Sequence, residues 1–264
     1  IKQTLQESHA LLGLENGKIN DAALLRIFTN FTQIFVLIMG VPISWPNLVG
    51  SSLSTGSKVT SFDSAVLSTD CFFLLLAEFF DVRPVFMKTL VVPMVPVIYV
   101  MFGFLFWIAR FLCKKKSIVK NEEFSQNVIT TIVIICYNIQ PDVIQTCFSL
   151  FRCQNLYRDD SPLLFLVEDY DVQCWEGEHL RWVLIFAIPC LILWAIVMPG
   201  IVLWQLRKNK QDLKAPDVWK KYCFIYNGYR NQKYYWEMIL MMAKVILISV
   251  IVFSAFSSVN LQIY

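Results

Sequence analysis

Asn138, Asp142 and Gln145 recur at i, i+4 and i+7 in an otherwise apolar stretch, with Gln140 and Pro141 between them. On a helix this spacing puts the three on one face. Pro141 removes a backbone hydrogen bond and frees a carbonyl near Tyr137. Amides and a carboxylate at that depth can do two kinds of chemistry. They can lock neighbouring helices together through hydrogen bonds, or they can line a wet path for ions or protons. A third reading places Asp142 nearer the outer boundary than mid-depth. The first two readings expect the face to turn into the bundle or toward a partner subunit, because an unsatisfied carboxylate in hydrocarbon is expensive.

Lys244 is the other charge inside an apolar stretch, seven residues after Glu237 and on the same helical face. Its long stem can carry the amine to the nearer boundary, or the amine can pair with a carboxylate on a neighbouring helix. A third grouping mixes cations with aromatics: Lys220, Lys221, Tyr226, Arg230, Lys233 and Trp236. Aromatic rings gather where one edge is wet and the other is not, and cations beside them attract anionic headgroups. This segment is expected to be a lipid-facing linker, with a turn at Asn227–Gly228.

The elements that must position these residues are helices. The composition is 56% hydrophobic and 16% charged, against about 45–50% and 25% in ordinary soluble domains. Five apolar stretches predict membrane spans near 25–48, 85–112, 124–150, 181–207 and 236–258. Each exceeds the ~20 residues that a ~30 Å hydrocarbon core requires. They are apolar all round, so buried helices of a soluble fold do not explain them. The fold class is all-α, a polytopic bundle of about five spans, with residues 1–23 as a juxtamembrane segment and 24–264 as the membrane domain. Pro42 and Pro46, with Trp45 between them, suit a boundary at the end of the first span, and Pro93 and Pro96 are expected to kink the second. The run Cys71–Phe80 is too short to cross and is expected to lie in the interface. The chain runs from Ile1 to Tyr264, just past an apolar stretch, as a piece of a longer protein would.

Loop charge predicts orientation. Residues 110–123 carry Arg110, Lys114, Lys115, Lys116 and Lys120, and residues 207–236 carry eight Lys or Arg against two acids. The positive-inside rule makes both loops cytoplasmic, which puts loops 50–83 and 151–180 outside. The second outer loop holds seven acids against two bases. Cys71, Cys153 and Cys174 fall in the loops assigned outside, where oxidation favours a disulfide. Cys153 could join Cys174 within one loop or Cys71 across two, and Cys147 could absorb an odd thiol. Irregular cysteine spacing, with His9 and His179 as the only histidines, argues against a zinc site. No metal and no cofactor are expected.

Enzyme chemistry finds no footing here. The chain has no Gly-rich phosphate loop, no carboxylate pair with a histidine on one face, and no nucleophile elbow. The basic loops are accounted for by topology, so no nucleic-acid partner is expected. The partners implied are membrane lipids, other subunits, or an extracellular filament or matrix assembly.

The segment Tyr222–Cys223–Phe224–Ile225–Tyr226–Asn227–Gly228–Tyr229–Arg230, followed by Tyr234–Tyr235–Trp236–Glu237 and Lys244, resembles part of the multi-pass membrane domains of large cysteine-rich, ciliate-type protist surface proteins. Leu25–Arg26–Ile27, Gln33, Trp45–Pro46, Asp70–Cys71, Phe151–Arg152–Cys153, and Tyr170–Asp171–Val172–Gln173–Cys174 with His179 extend the resemblance over most of the chain. Such domains are described as similar to transient-receptor-potential (TRP)-like proteins. The resemblance implies a long cysteine-rich ectodomain before this piece, further spans after it, and a plasma or ciliary membrane. It implies a TRP-like cation channel subunit. The alternatives are a non-conducting anchor or receptor module for an extracellular assembly, and a lipid scramblase.

Overall fold

The computed structural model describes residues 14–15, 18–19, 21–39, 77–113, 122–158, 161–213 and 215–261. Six helices carry most of it: α1 (Asp21–Met39), α2 (Pro84–Cys113), α3 (Glu122–Ser149), α4 (Gly177–Lys208), α5 (Pro216–Tyr226) and α6 (Trp236–Leu261). Two-residue strands β1 (Leu14–Glu15) and β2 (Lys18–Ile19) pair ahead of α1. Among the described residues, four helices are long and apolar enough to cross a membrane: α2, α3, α4 and the Trp236–Phe253 part of α6. These are the marks of an integral membrane protein. The 30 residues of α2 extend about 45 Å at 1.5 Å per residue. Phe102, Phe106 and many other large side chains along it are exposed, as a lipid-facing helix requires. The apolar part of α1 is shorter, Ala23–Ile38. The first span expected at 25–48 is thus a helix as far as Met39, and its remainder at 40–48 lies outside the described residues. So do Cys71, the boundary around Pro42–Pro46 and most of the expected interfacial run, of which a helical turn at 77–80 is described.

Prolines shape these helices in different ways. α2 runs through Pro93 and Pro96, where the sequence favours a kink, without a break in its helical range. In α4 the backbone widens to π-helix at Val183–Ala187 and again at Ile192–Val197. Pro189 and Pro199 each fall in the first turn of the α-helical piece that follows. Inside a continuous helix each proline gives up one backbone hydrogen bond, and the wide turn before it relieves its ring against the preceding carbonyls.

The acidic segment between α3 and α4 is not a plain loop. It folds as an antiparallel meander of β3 (Cys153–Arg158), β4 (Ser161–Leu166) and β5 (Asp169–Gln173), with a register shift at Phe165/Leu166. The all-α expectation therefore holds for the membrane elements and misses this sheet. The acids mask the strands: Asp169 and Asp171 precede the inward Val172 in β5, and Phe165 and Leu166 supply the rest of the buried side.

The chain divides into two compact units. One comprises Ile1–Phe31, Val95–Gln140 and Val197–Ala243; the other comprises Thr32–Met94, Pro141–Ile196 and Lys244–Tyr264. In the first unit, Tyr137, Leu206, Phe224, Ile225, Met238 and Met241 form the buried core. There α2 and α3 approach closely at Gly103, where an added Cβ would lie 3.0 Å from the Thr131 Cγ2. Trp107 Nε1 donates to Thr131 Oγ1 one turn along, at 3.0 Å. In the second unit, Phe86, Leu150, Leu166, Val172, Val183 and Ala187 form the core, with Phe86 stacked on Trp182 at 5.2 Å.

Candidate functional site

The first unit buries a charge cluster that four helices and a turn build together. Arg26 and Asn30 come from one face of α1, Tyr137 from α3, and Glu237 from the first turn of α6. Tyr229 follows α5 in a tight turn. That turn has Asn227 at φ −63° and ψ 138°, Gly228 at φ 87°, and a Tyr229 N–H to Tyr226 carbonyl bond of 3.1 Å. This is type II geometry, in which glycine supplies the positive φ that other residues resist. The Asn227–Gly228 pair reads correctly as a turn from sequence. Gly228 also sits against α1: a Cβ there would be 3.4 Å from Ala23 Cβ and 3.5 Å from Arg26 Nη2.

Glu237 is fully buried, and both its oxygens are engaged. Oε1 accepts from Asn30 Nδ2 at 2.9 Å and lies 2.5 Å from the Tyr137 hydroxyl. The same hydroxyl also meets Asn30 Oδ1, so its one proton is shared between two acceptors. Oε2 accepts from the Tyr229 hydroxyl at 2.9 Å and lies 3.2 Å from Arg26 Nε, an ion pair without hydrogen-bond alignment. Arg26 Nη1 donates to the carbonyls of Phe224 at 3.1 Å and Ile225 at 2.8 Å. Those carbonyls belong to the last turn of α5, where orphan acceptors and the negative end of the helix dipole favour a cation. The guanidinium also stacks 4.4 Å above the Tyr229 ring. Burial, and next the Glu237 charge, push the Tyr229 phenol above its ordinary value.

A carboxylate held by a cation and several donors at once is fixed rather than reactive. The arrangement suits mechanical coupling. One arginine caps α5 and at the same time pairs with the first turn of α6, so a displacement of α5 must disturb Glu237.

The residues singled out from sequence fall elsewhere. Asn138, Asp142 and Gln145 do share a face of α3, but that face is exposed on this chain. The spacing fixes which residues go together and says nothing of which way they turn; the buried face carries Tyr137, Gln140, Val143 and Ile144 instead. Only Gln140 of the predicted set is buried, and the Asn138 amide donates to Ile134 O on its own helix at 2.7 Å. Such a face is one that a partner subunit could cover.

Lys244, in the second unit, is buried, and its Nζ lies 2.5 Å from Gln33 Oε1. Gln33 and Lys244 thus meet through residues the sequence offered without pairing. In the linker, Lys220, Arg230, Lys233 and Trp236 are exposed as expected, and Lys221 is half-buried. Tyr226 is the exception. Its ring is buried and its hydroxyl donates to Leu213 O at 2.6 Å, because α5 turns that side onto the core.

Cys153 is bonded to Cys174, with Cα atoms 6.2 Å apart, one of the two pairings the sequence allowed. The ligating atoms of Cys153, Cys174 and His179 all lie within 4.8 Å of one another. The two sulfurs are spent on each other, however, so they offer no thiolates to a metal. The Arg26–Glu237 cluster is the feature that sequence reading missed. Its signal was there: charges of opposite sign, Arg26 and Glu237, each near one end of an apolar helix.

No known family profile matches the chain, and no solved structure matches it. It is similar to the Cysteine repeat modular protein A of Toxoplasma gondii, with 24% identity over 133 residues. That match covers 48% of this chain and 4% of the relative's length.

Proposed function

We propose that this chain is the helical module of a TRP-like cation channel subunit, in which α5 transmits force between the loop ahead of α6 and the bundle. The observation that carries this reading is the Arg26 guanidinium, which holds the end of α5 and the Glu237 carboxylate at once. Buried charge in apolar helices is expensive and commonly functional. A helix capped by the same cation that pairs with the next span is a means of coupling. The Cys153–Cys174 bond supports the outside position of the β3–β5 sheet, and the exposed cations of the linker support its cytoplasmic position. Conduction would require an assembly, with the exposed Asn138–Asp142–Gln145 face as a surface between subunits.

The test is current across a membrane containing the full-length protein. Neutralising Asp159, Asp160, Asp169 and Asp171 should lower cation current at low ionic strength, and the effect should fade in high salt. A full-length protein silent under voltage, stretch and ligand would favour a non-conducting anchor. The observation behind that second reading is the similarity to a small fraction of a very long protein named for cysteine repeats.

A further inference from the structure

In the second unit, the turn joining β5 to α4 is tied down by one imidazole. The His179 side chain is fully buried. Its Nδ1 lies 3.0 Å from the Trp175 backbone nitrogen, and its Nε2 lies 2.9 Å from Leu150 O. A backbone N–H can only donate and a carbonyl can only accept. The ring is therefore neutral with its proton on Nε2, and Nδ1 is the acceptor. Trp175 is also in the left-handed region, with φ 64°, a conformation disfavoured for a residue with a Cβ. Trp175 is 44% exposed, and its ring packs edge-on against the imidazole at 5.7 Å.

Protonation cannot leave this arrangement intact. A second ring proton must go on Nδ1, where it meets the Trp175 N–H head-on. We propose that His179 is an acid-released latch: neutral, it holds the Cys174–Glu176 turn against α4, and protonated, it lets go of Trp175 and frees the turn. The disulfide keeps the sheet attached through Cys153, so release loosens one of its two connections rather than unfolding it.

Charged groups stand on the elements around the ring. Arg152, next to β3, pairs with Glu168 at 3.4 Å. Arg83, ahead of α2, pairs with Asp169 at 3.7 Å and Glu178 at 3.9 Å. On the ring's own turn Glu176 is exposed, and Arg181 is exposed with its Nε toward Gly177 O at 3.4 Å. Cys147, on the last turns of α3, is buried.

The chain has two histidines, so His9→Gln leaves His179 as the one imidazole to observe. With that variant in lipid nanodiscs, nitrogen NMR of labelled histidine should report the Nε2–H tautomer at neutral pH. Hydrogen exchange should show Trp175 amide protection falling by about tenfold or more, the scale of one lost buried hydrogen bond. The fall should track imidazole protonation as the pH is lowered from neutral. In His179→Asn the side-chain oxygen takes the place of Nδ1 and does not ionise, so protection should be flat over the same range. An Nδ1–H tautomer at neutral pH would overturn the proposal. So would Trp175 protection that does not follow the imidazole, or His179→Asn with the wild-type pH response. If the asparagine variant does not assemble, the tautomer and the coincidence of the two titrations in the His9→Gln protein still decide.

Discussion

Arg26 and Glu237 stand near opposite ends of the chain and meet with Nε 3.2 Å from Oε2, both side chains buried. Removing one partner of such a pair leaves the other as an uncompensated buried charge, at a cost of about 3–5 kcal/mol. Arg26→Met should therefore destabilise the chain strongly, and Glu237→Leu should do the same. The double variant should lose less than the sum, because neither charge is then stranded. Thermal unfolding in detergent or nanodiscs measures all three. Additive losses would mean that the two residues do not act on each other.

Gly103 makes a steric test of the α2–α3 contact. A methyl group there meets Thr131 Cγ2 at 3.0 Å, closer than side chains pack. Gly103→Leu should destabilise by about 1–3 kcal/mol through overpacking, and Gly103→Ala by less. Thr131→Ser deletes the clashing methyl while keeping the hydroxyl that accepts from Trp107. It should rescue Gly103→Ala, whereas Thr131→Val should not. If Thr131→Ser brings no recovery of thermal stability, the helices do not meet where described.

The helices were legible because lipid imposes one simple demand, an uninterrupted apolar run long enough to cross. The expected 85–112 and 236–258 answer to Pro84–Cys113 and Trp236–Leu261. Cys153–Cys174 was legible as one of two pairings because both thiols sit in one loop. What escaped depends on direction or distance. The helical period groups Asn138 with Asp142 and Gln145 but gives no sign of inside or outside, since these helices present apolar residues on every face. Tyr226 sits among cations and aromatics and reads as interfacial, yet α5 buries it. Arg26 and Glu237 carry no local mark of each other. The π-helical turns of α4 arise from how Pro189 and Pro199 are accommodated, which the proline positions alone do not specify.

The disulfide holds the sheet together with its packing on the second unit's core. Closing a loop with a sequence separation of 21 stabilises by about 3 kcal/mol in the chain-entropy account. Cys174→Ser should open β5 and the turn after it to protease while leaving the α2 and α6 segments protected. Limited proteolysis followed by mass spectrometry reads this directly. Equal protection of the 153–174 segment with and without reductant would show that packing of Phe165, Leu166 and Val172 suffices by itself.

Tyr226 supplies an alkaline signature for the burial of α5. Its phenol is pushed up to about 12, by burial first and then by Cys223, whereas an unfolded tyrosine titrates near about 10. Below pH ~10 both states hold the proton and this group adds no slope. Between about 10 and 12 the unfolded chain gives up its proton while the folded one keeps it. Stability must then fall as pH rises, by at most about 1.4 kcal/mol per pH unit for this one group. Tyr226→Phe removes the titration together with the bond to Leu213 O. It should lower stability at neutral pH by about 1 kcal/mol and flatten the decline above pH ~10. Tyr222 and Tyr229, also raised by burial, keep some slope in the variant. The measurement is therefore the difference between wild type and Tyr226→Phe, followed by unfolding at a series of pH values. Parallel curves across the alkaline range would place the Tyr226 hydroxyl in water and the linker helix off the bundle.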